Sequence, residues 1–342
     1  MRIIRTLLLA AVAAFSLHAL APFSCALDAY AVLKDAGNAK NKPAFTGTQK
    51  LQFFKEGKNL SERIQFFFVS EKSFKAEILD PPDLKGTMFG RSGDQFAVYV
   101  PKFRFKMNQP TSDKDKGVAA QGDNLYIVGN WDVFKKNYTV AFVKDEKFLK
   151  LPVHKITITN KHSSFVKRHL WIDVKSHVLL KEERYFNGKL YYDFAYEKIQ
   201  FKKPSAKTLE VNAGGKGINA PNIKRSIYTN IKEAKPHFPF TPFYPSKLPP
   251  GFVFKDARVR ESMFGKDVIF IFTDGLHVVR LEERKGGLLS GLGGLLRGLM
   301  EKFQDYSPAN TVKKDHEGHE ISATGELPPS MLEDLLNTLK PL

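Results

Sequence analysis

The residues best suited to chemistry form one short cluster near the C-terminus. Residues 315–320 read DHEGHE, which places His316 and His319 three positions apart. Two histidines at this spacing share one face of a helix, where they could ligate a metal ion. Gly318 between them favours a hairpin turn instead, because glycine adopts positive φ readily. We therefore expect no metal site.

Other catalytic signatures are incomplete. Residues 90–93 (GRSG) lack the spacing of a nucleophile elbow, and residues 214–217 (GGKG) contain only part of a phosphate-binding loop. Glu182 and Glu183 are adjacent, but no spacing marks them as an acid–base pair. We predict a protein that is not an enzyme and uses no cofactor.

The N-terminus has the pattern of a secretory signal. Arg2 and Arg5 precede an apolar run at residues 7–20, and Ser24-Cys25-Ala26 is a small-residue cleavage site. We expect residues 1–26 to be removed and the mature chain to be exported. Cys25 is the only cysteine, and the preceding Pro22-Phe23 fits lipid modification poorly. Its removal would leave no thiol for a disulfide or a zinc site.

The net charge is +17. A basic exported protein is suited to anionic lipid headgroups or to an acidic partner, whereas export argues against nucleic acid. The alternative interpretation is a basic, solvated surface without a specific partner.

The chain divides into two predicted domains. The first domain is predicted at residues 27–203, with a short helix at residues 27–39. Successive antiparallel strands are predicted from Phe45 onward, with Asn187-Gly188 as a tight hairpin. Residues 204–237 have little to bury and are a candidate linker. Residues 238–342 are predicted to form a smaller domain with an Asp274-Gly275 hairpin. A helix with Ser330 and Glu333 as its capping box is predicted near the end of this domain.

A curved sheet of this length has an inner face that could hold a ligand. Aromatic and branched residues on the strands would make that face apolar, and each buried CH₂ of an acyl chain contributes about 0.8 kcal/mol. The alternative is that these residues fill a tight core. The candidate ligand-binding residues are Phe66, Phe68, Phe96, Val98, Phe142, Ile156, Ile158, Trp171, Tyr192, Phe194 and Tyr196.

Residues 285–305 form a Leu/Gly-rich segment within the smaller domain. Its large apolar residues could share one helical face and contact a membrane surface or a partner. Its glycines weaken a helix by about 1 kcal/mol each relative to alanine. The alternative is a loop that packs on its own domain. The candidate contact residues are Leu292, Leu295, Leu296, Leu299, Met300 and Phe303.

Several motifs resemble the MucB/RseB family, the periplasmic regulators of an envelope-stress sigma factor. Those near the start and in the late strands of the first domain are AFTGT at 44–48, HLWID at 169–173, LLKEE at 179–183 and FNG at 186–188. The late-strand motifs are also similar to the lipoprotein carriers LolA and LolB. The motifs of the smaller domain are LPPGF at 248–252, TDGL at 273–276 and GELPP at 325–329.

The resemblance implies a fold, a location and a partner. The fold would be mainly β, with a LolA-like curved antiparallel half-barrel and a smaller α/β domain. The protein would be periplasmic, would bind the periplasmic part of an anti-sigma factor, and would sense lipid or lipoprotein. The alternative is a periplasmic carrier of lipoprotein or lipid.

Overall fold

The computed structural model describes residues 28–38, 40, 42–55, 57–110, 128–162, 166–211, 218–219, 224–262, 265–285 and 307–342. Its strands form one twelve-stranded sheet, one six-stranded sheet and one two-stranded sheet. Among these residues, no helix is long and apolar enough to cross a membrane.

The large sheet is an open meander. Its order is β12-β6-β5-β4-β3-β2-β1-β11-β10-β9-β8-β7, so that β12 and β7 lie at opposite edges. All neighbouring pairs are antiparallel except β12 and β6. The strands are β1 (Phe45–Lys55), β2 (Lys58–Ser70), β3 (Ser73–Asp80), β4 (Met88–Ser92), β5 (Gln95–Val100), β6 (Phe105–Pro110), β7 (Tyr138–Phe148), β8 (Leu151–Asn160), β9 (Val166–Asp173), β10 (Leu179–Phe186), β11 (Lys189–Gln200) and β12 (Ile218–Asn219).

One face of the large sheet carries an aromatic core. Residues directly opposite each other in an antiparallel pair lie on the same face. Phe45 stands opposite Phe68, and Phe53 stands opposite Tyr192. The rings of Phe45 and Phe68 stack with centroids 5.2 Å apart. We call this face the inner face.

Two short helices pack on the inner face. In α1 (Ala29–Ala36), the Asp28 side chain accepts the Tyr30 N–H at 2.9 Å, which caps the first turn. In α2 (Trp131–Asn137), the Asn130 side chain caps the first turn in the same way. Leu33 and Phe134 are fully buried and join the core of the large sheet. The helices therefore cover part of the face that was predicted to hold a ligand.

The second sheet forms a smaller, separate core. Its order is β13-β15-β16-β17-β19-β18, and the helix Pro329–Asn337, which we call α5, buries Leu332, Leu335 and Leu336 against it. A short ladder of β14 and β20 lies beside it. The elements are β13 (Lys224–Tyr228), β14 (Phe243–Pro245), β15 (Val253–Ser262), β16 (Gly265–Thr273), β17 (Val278–Lys285), β18 (Asn310–His316), β19 (His319–Gly325), α5 (Pro329–Asn337) and β20 (Leu339–Pro341). Two further short helices are α3 (Ala206–Leu209) and α4 (Ile231–Ala234).

The fold prediction is confirmed: an open, curved antiparallel sheet is joined to a smaller α/β unit. The hairpin at Asn187-Gly188 is also confirmed, since these residues have φ values of 49° and 74°. The domain boundaries themselves stay a prediction.

Two local predictions were wrong. The C-terminal helix begins at Pro329 rather than at a Ser330 cap, because proline at the first helical position has a suitable fixed φ and needs no N–H partner. Within the predicted linker, residues 224–228 form β13, which pairs with β15. That strand is too short for its pattern to stand out in the sequence.

Candidate functional site

The hairpin between β16 and β17 touches the large sheet's helix α2. Gly275 at its tip has a φ of 95°, and its carbonyl accepts the N–H of Gly129 at 2.9 Å. A Cβ at Gly275 would lie 2.3 Å from the backbone nitrogen of Phe134. Only glycine allows the two backbones to approach this closely.

The end of α2 binds two turns of the smaller unit. The Asn137 side-chain N–H groups donate to the carbonyls of Gly251 at 2.8 Å and Asp274 at 2.9 Å. The Tyr138 hydroxyl donates to the Asp274 carboxylate at 2.5 Å and lies 3.1 Å from His277 Nδ1. All of these side chains are buried. The contact is therefore a polar joint between the two cores, with its backbone groups satisfied by side chains.

The buried contacts of this joint favour the ionised form of Asp274 and the protonated form of Tyr138. Burial alone would raise the pKa of Asp274, but the neighbouring His277 and the Tyr138 hydroxyl outweigh burial and lower the pKa to about 2. Burial and the Asp274 charge raise the pKa of Tyr138. Asp274 therefore stays a carboxylate and Tyr138 a hydrogen-bond donor near neutral pH.

A second contact joins two arginines of the inner face to Glu326. Arg168 and Arg184 lie directly opposite each other on β9 and β10. Glu326 Oε2 accepts from Arg168 at 2.9 Å and from Arg184 at 2.7 Å. Glu182 on β10 also accepts from both guanidinium groups, at 2.8 to 3.1 Å. We call these four side chains the arginine–glutamate cluster.

The cluster keeps Glu326 ionised. Burial would raise the pKa of Glu326, but the charges of Arg184 and Arg168 lower it to about 2. Arg184 also lies 4.3 Å above the centre of the Tyr192 ring. Glu326 follows β19, so this contact ties the smaller unit to the aromatic inner face.

The three motifs of the smaller unit meet at these contacts. Gly251 lies in LPPGF, Asp274 and Gly275 lie in TDGL, and Glu326 lies in GELPP. The sequence identified these motifs as turns but did not place them at the junction. Their partners Asn137, Tyr138, Arg168 and Arg184 were missed.

One signal for the arginines was present in the sequence. Along β10, the inner-face positions are Leu180, Glu182 and Arg184, so two charged residues take positions where apolar residues would be expected. Charged residues at buried strand positions need partners of opposite charge. The partner in the smaller unit could not be found, because it is 142 residues further along the chain from Arg184.

The predicted ligand-binding residues divide into three groups. Phe96 and Val98 on β5 are half-buried, and Phe142 on β7 is 38% exposed. Trp171 lies on the outer face. The remaining residues are buried on the inner face, and these are Phe66, Phe68, Ile156, Ile158, Tyr192, Phe194 and Tyr196.

The placement of Trp171 on the inner face was wrong. Its cross-strand partners are Lys155 and Lys181, whereas the inner-face residue Ile156 pairs with Leu170. Both lysine ammonium groups lie over the Trp171 ring, at 4.3 and 4.7 Å from its centre. The indole N–H donates to Glu146. Trp171 is therefore buried beneath lysine side chains on the outer face.

Residues 315–320 form a hairpin turn as predicted. β18 ends at His316 and β19 begins at His319, with Glu317 and Gly318 at φ values of 50° and 80°. His319 is hydrogen-bonded through Nδ1 to the buried Glu283. The candidate contact residues Leu292, Leu295, Leu296, Leu299, Met300 and Phe303 lie outside the described residues.

Comparison with solved structures gives matches over nearly the whole chain. The complex structure of Pseudomonas aeruginosa MucA/MucB aligns with a TM-score of 0.56 and 15% identity, and covers 92% of this chain and 99% of that chain. MucB in complex with MucA(peri) aligns with a TM-score of 0.57, 15% identity and the same coverage. No family model matches the chain, and no curated protein matches it. The resemblance is thus confirmed at the level of fold: this chain has the fold of MucB.

Proposed function

We propose that the protein is a non-enzymatic periplasmic regulator that binds the periplasmic part of an anti-sigma factor. The observation that carries this proposal is the match of 92% of the chain to MucB in its complexes with MucA. The match extends over both the large sheet and the smaller unit. A carrier related only to the large sheet would not need the second unit or the polar joint between them.

The partner can be tested directly. The purified protein, immobilised and exposed to detergent-solubilised membranes of its host, is expected to retain an anti-sigma factor. Direct binding would then be measured with the purified periplasmic segment of that anti-sigma factor. Recovery of none, from a host that encodes one, would contradict the proposal.

The second part of the proposal is that the inner face binds lipid or lipoprotein acyl chains. Phe96 and Val98 support it, because they are apolar side chains that remain partly accessible on β5. The aromatic residues beside them continue the same face. Mass spectrometry of the gently purified protein should detect a bound lipid; absence of lipid, together with no binding of a fluorescent fatty acid, would contradict this part.

The partly accessible Phe96 and Val98 also favour a second candidate function, transport of lipoprotein or lipid across the periplasm. A carrier would transfer its cargo between donor and acceptor vesicles, and it would do so without an anti-sigma factor. A regulator would bind the anti-sigma segment and transfer nothing. The two assays on one preparation therefore separate the candidates.

The Leu/Gly-rich segment is proposed to contact a membrane surface or the partner. Replacing Leu295 and Leu299 with serine should reduce sedimentation with anionic vesicles if the membrane is the target. Unchanged sedimentation, with unchanged binding of the anti-sigma segment, would favour the alternative of a loop that packs on its own domain.

A further inference from the structure

The arginine–glutamate cluster has a charge imbalance that depends on the smaller unit. The large sheet supplies two cations, Arg168 and Arg184, but only one anion, Glu182. Glu326 supplies the second negative charge from the other side of the junction. If Glu326 withdrew, one positive charge would remain uncompensated at a buried position, which is costly unless another anion replaces the carboxylate.

The cluster also has an unused donor. Both arginines donate to the same atom, Glu326 Oε2. Nε of Arg168 is buried and has no hydrogen-bond partner in the part of the chain that the structure describes. A buried donor without a partner costs about 1 to 3 kcal/mol. Glu326 therefore fills the site incompletely, whereas a phosphate group has additional oxygens that could accept from this donor.

The surroundings of the cluster fit an amphiphile. Arg184 stacks on Tyr192, and Arg168 stands opposite Ile158 on the neighbouring strand. Phe194 stands opposite Glu182 on β11. These apolar side chains are buried, so the chain of an acidic amphiphile would lie against them once Glu326 and the smaller unit have withdrawn.

Solvent reaches the cluster on the side of Glu326. The Glu326 side chain is 26% exposed, whereas those of Arg168 and Arg184 are 5% and 8% exposed. A ligand that approaches the arginines must therefore displace Glu326. Guanidinium groups bind carboxylate and phosphate with similar geometry, so the two anions would compete for the same donors.

We propose that Arg168 and Arg184 form a binding site for the phosphate or carboxylate headgroup of a lipid, and that Glu326 occupies this site until the lipid displaces it. Binding of the headgroup breaks the contact that the arginine–glutamate cluster makes between the large sheet and the smaller unit. The inference rests on the proposed function in that the ligand is a lipid. It adds the class of headgroup, the residues that bind it, and a link between ligand binding and the junction.

The site can be probed with three compounds that separate headgroup from chain. Dodecyl phosphate carries both, dodecyl maltoside carries the same chain with a neutral headgroup, and inorganic phosphate carries no chain. Calorimetry below the micellar concentration should give binding of dodecyl phosphate at least tenfold tighter than of either other compound. Equal binding of inorganic phosphate would overturn the lipid assignment, and equal binding of dodecyl maltoside would overturn the anion site.

Two substitutions should shift the affinity in opposite directions. Glu326→Gln removes the competing charge, so the affinity for dodecyl phosphate should rise about tenfold or more. Arg168→Gln removes a donor and should lower the affinity by a similar factor, while Glu182 keeps its two bonds to Arg184. Glu333→Gln, on the exposed side of α5, is the matched control and should change nothing.

The effect of lipid binding on the junction can be measured by hydrogen exchange. The N–H of Gly129 donates across the junction to Gly275, so its hydrogen exchange reports docking. Dodecyl phosphate should accelerate exchange in a peptide that contains Gly129, and Glu326→Gln should do so without ligand. Binding without faster exchange would overturn the link.

Different experimental results would overturn the headgroup site and the proposed function. Wild-type protein that binds the anti-sigma segment and dodecyl phosphate, with the same lipid affinity in all three variants, would overturn the headgroup site alone. Wild-type protein that binds neither would overturn the proposed function.

Discussion

Gly275→Ala should separate the two units without disturbing either core. The new Cβ would lie 2.3 Å from N and 2.5 Å from Cα of Phe134. Both atoms belong to the backbone of α2, so no side-chain rotation can relieve the clash. The hairpin must move away from α2, and the hydrogen bonds across the junction must lengthen or break.

Gly275→Ala costs free energy in two ways, through backbone strain and through weakened hydrogen bonds. A non-glycine residue at a φ of 95° costs about 1 to 2 kcal/mol. Movement of the hairpin also weakens the bonds from Gly129 to Gly275 and from Asn137 to Asp274, worth about 1 kcal/mol each. The bond from Tyr138 to the Asp274 carboxylate adds about 2 kcal/mol because one partner is charged. The docking free energy should therefore fall by about 4 kcal/mol beyond the backbone cost.

Gly318→Ala is the matched control. Gly318 also lies in a hairpin of the smaller unit, its φ is 80°, and no atom lies within 4 Å of the position of its Cβ. This substitution should cost the backbone term alone and leave docking unchanged.

Hydrogen exchange at Gly129, whose N–H donates to Gly275, measures docking in each variant. It is used because a single unfolding free energy is poorly defined for a chain with two cores. Gly275→Ala should accelerate exchange there by about two to three powers of ten. If Gly275→Ala and Gly318→Ala gave the same exchange rates and the same melting temperature, the close approach at Gly275 would not hold the units together.

Three further results are expected. The pKa of Glu326 is lowered from 4.5 to about 2, so its contribution of roughly 3 kcal/mol is present above pH 4.5 and is lost as the pH falls towards 2; Glu326→Gln should flatten this acid limb in a denaturation series. Burial raises the pKa of Glu62 from 4.5 to about 8, so stability should fall as the pH rises from 4.5 to 8, and Glu62→Gln should remove that slope. Trp131 packs against the inner core, so its fluorescence in a Trp171→Phe variant should be quenched by a brominated acyl chain bound on the inner face. The fluorescence of Trp171 in a Trp131→Phe variant should not be quenched. The reverse pattern would place the lipid on the outer face.

The strands and hairpins could be predicted because their signals are local. Alternation of apolar and polar residues identified most strands of the large sheet, and Asn187-Gly188 identified a turn through its tolerance of positive φ. Strand β13 was missed because it forms by pairing with β15, and this pairing leaves little trace in a five-residue sequence. The start of α5 was placed one residue too late, because the sequence fits a cap at Ser330 nearly as well as a start at Pro329.

The face of Trp171 could not be predicted from β9 alone. Residues 170–173 are all buried, so alternation does not separate the two faces there. The register with β8 and β10 settles the orientation, and it places lysines on both sides of Trp171. The aliphatic parts of the lysine side chains bury the indole on the outer face. A large apolar residue therefore occupies an outer-face position, where the sequence pattern alone suggests the inner face.

The connectivity of the smaller sheet gives the Leu/Gly-rich segment a structural role. β17 and β18 both pair antiparallel with β19, so they run parallel to each other. Lys285 at the end of β17 stands beside His319, whereas Asn310 at the start of β18 stands beside Gly325, at opposite ends of β19. Parallel strands in one sheet need a crossover of a dozen or more residues. Residues 286–309 therefore contain a connection that the topology requires, and complete deletion of the segment should prevent β18 from pairing. Substitution of its apolar side chains is the sharper test of membrane or partner contact, because it keeps the connection.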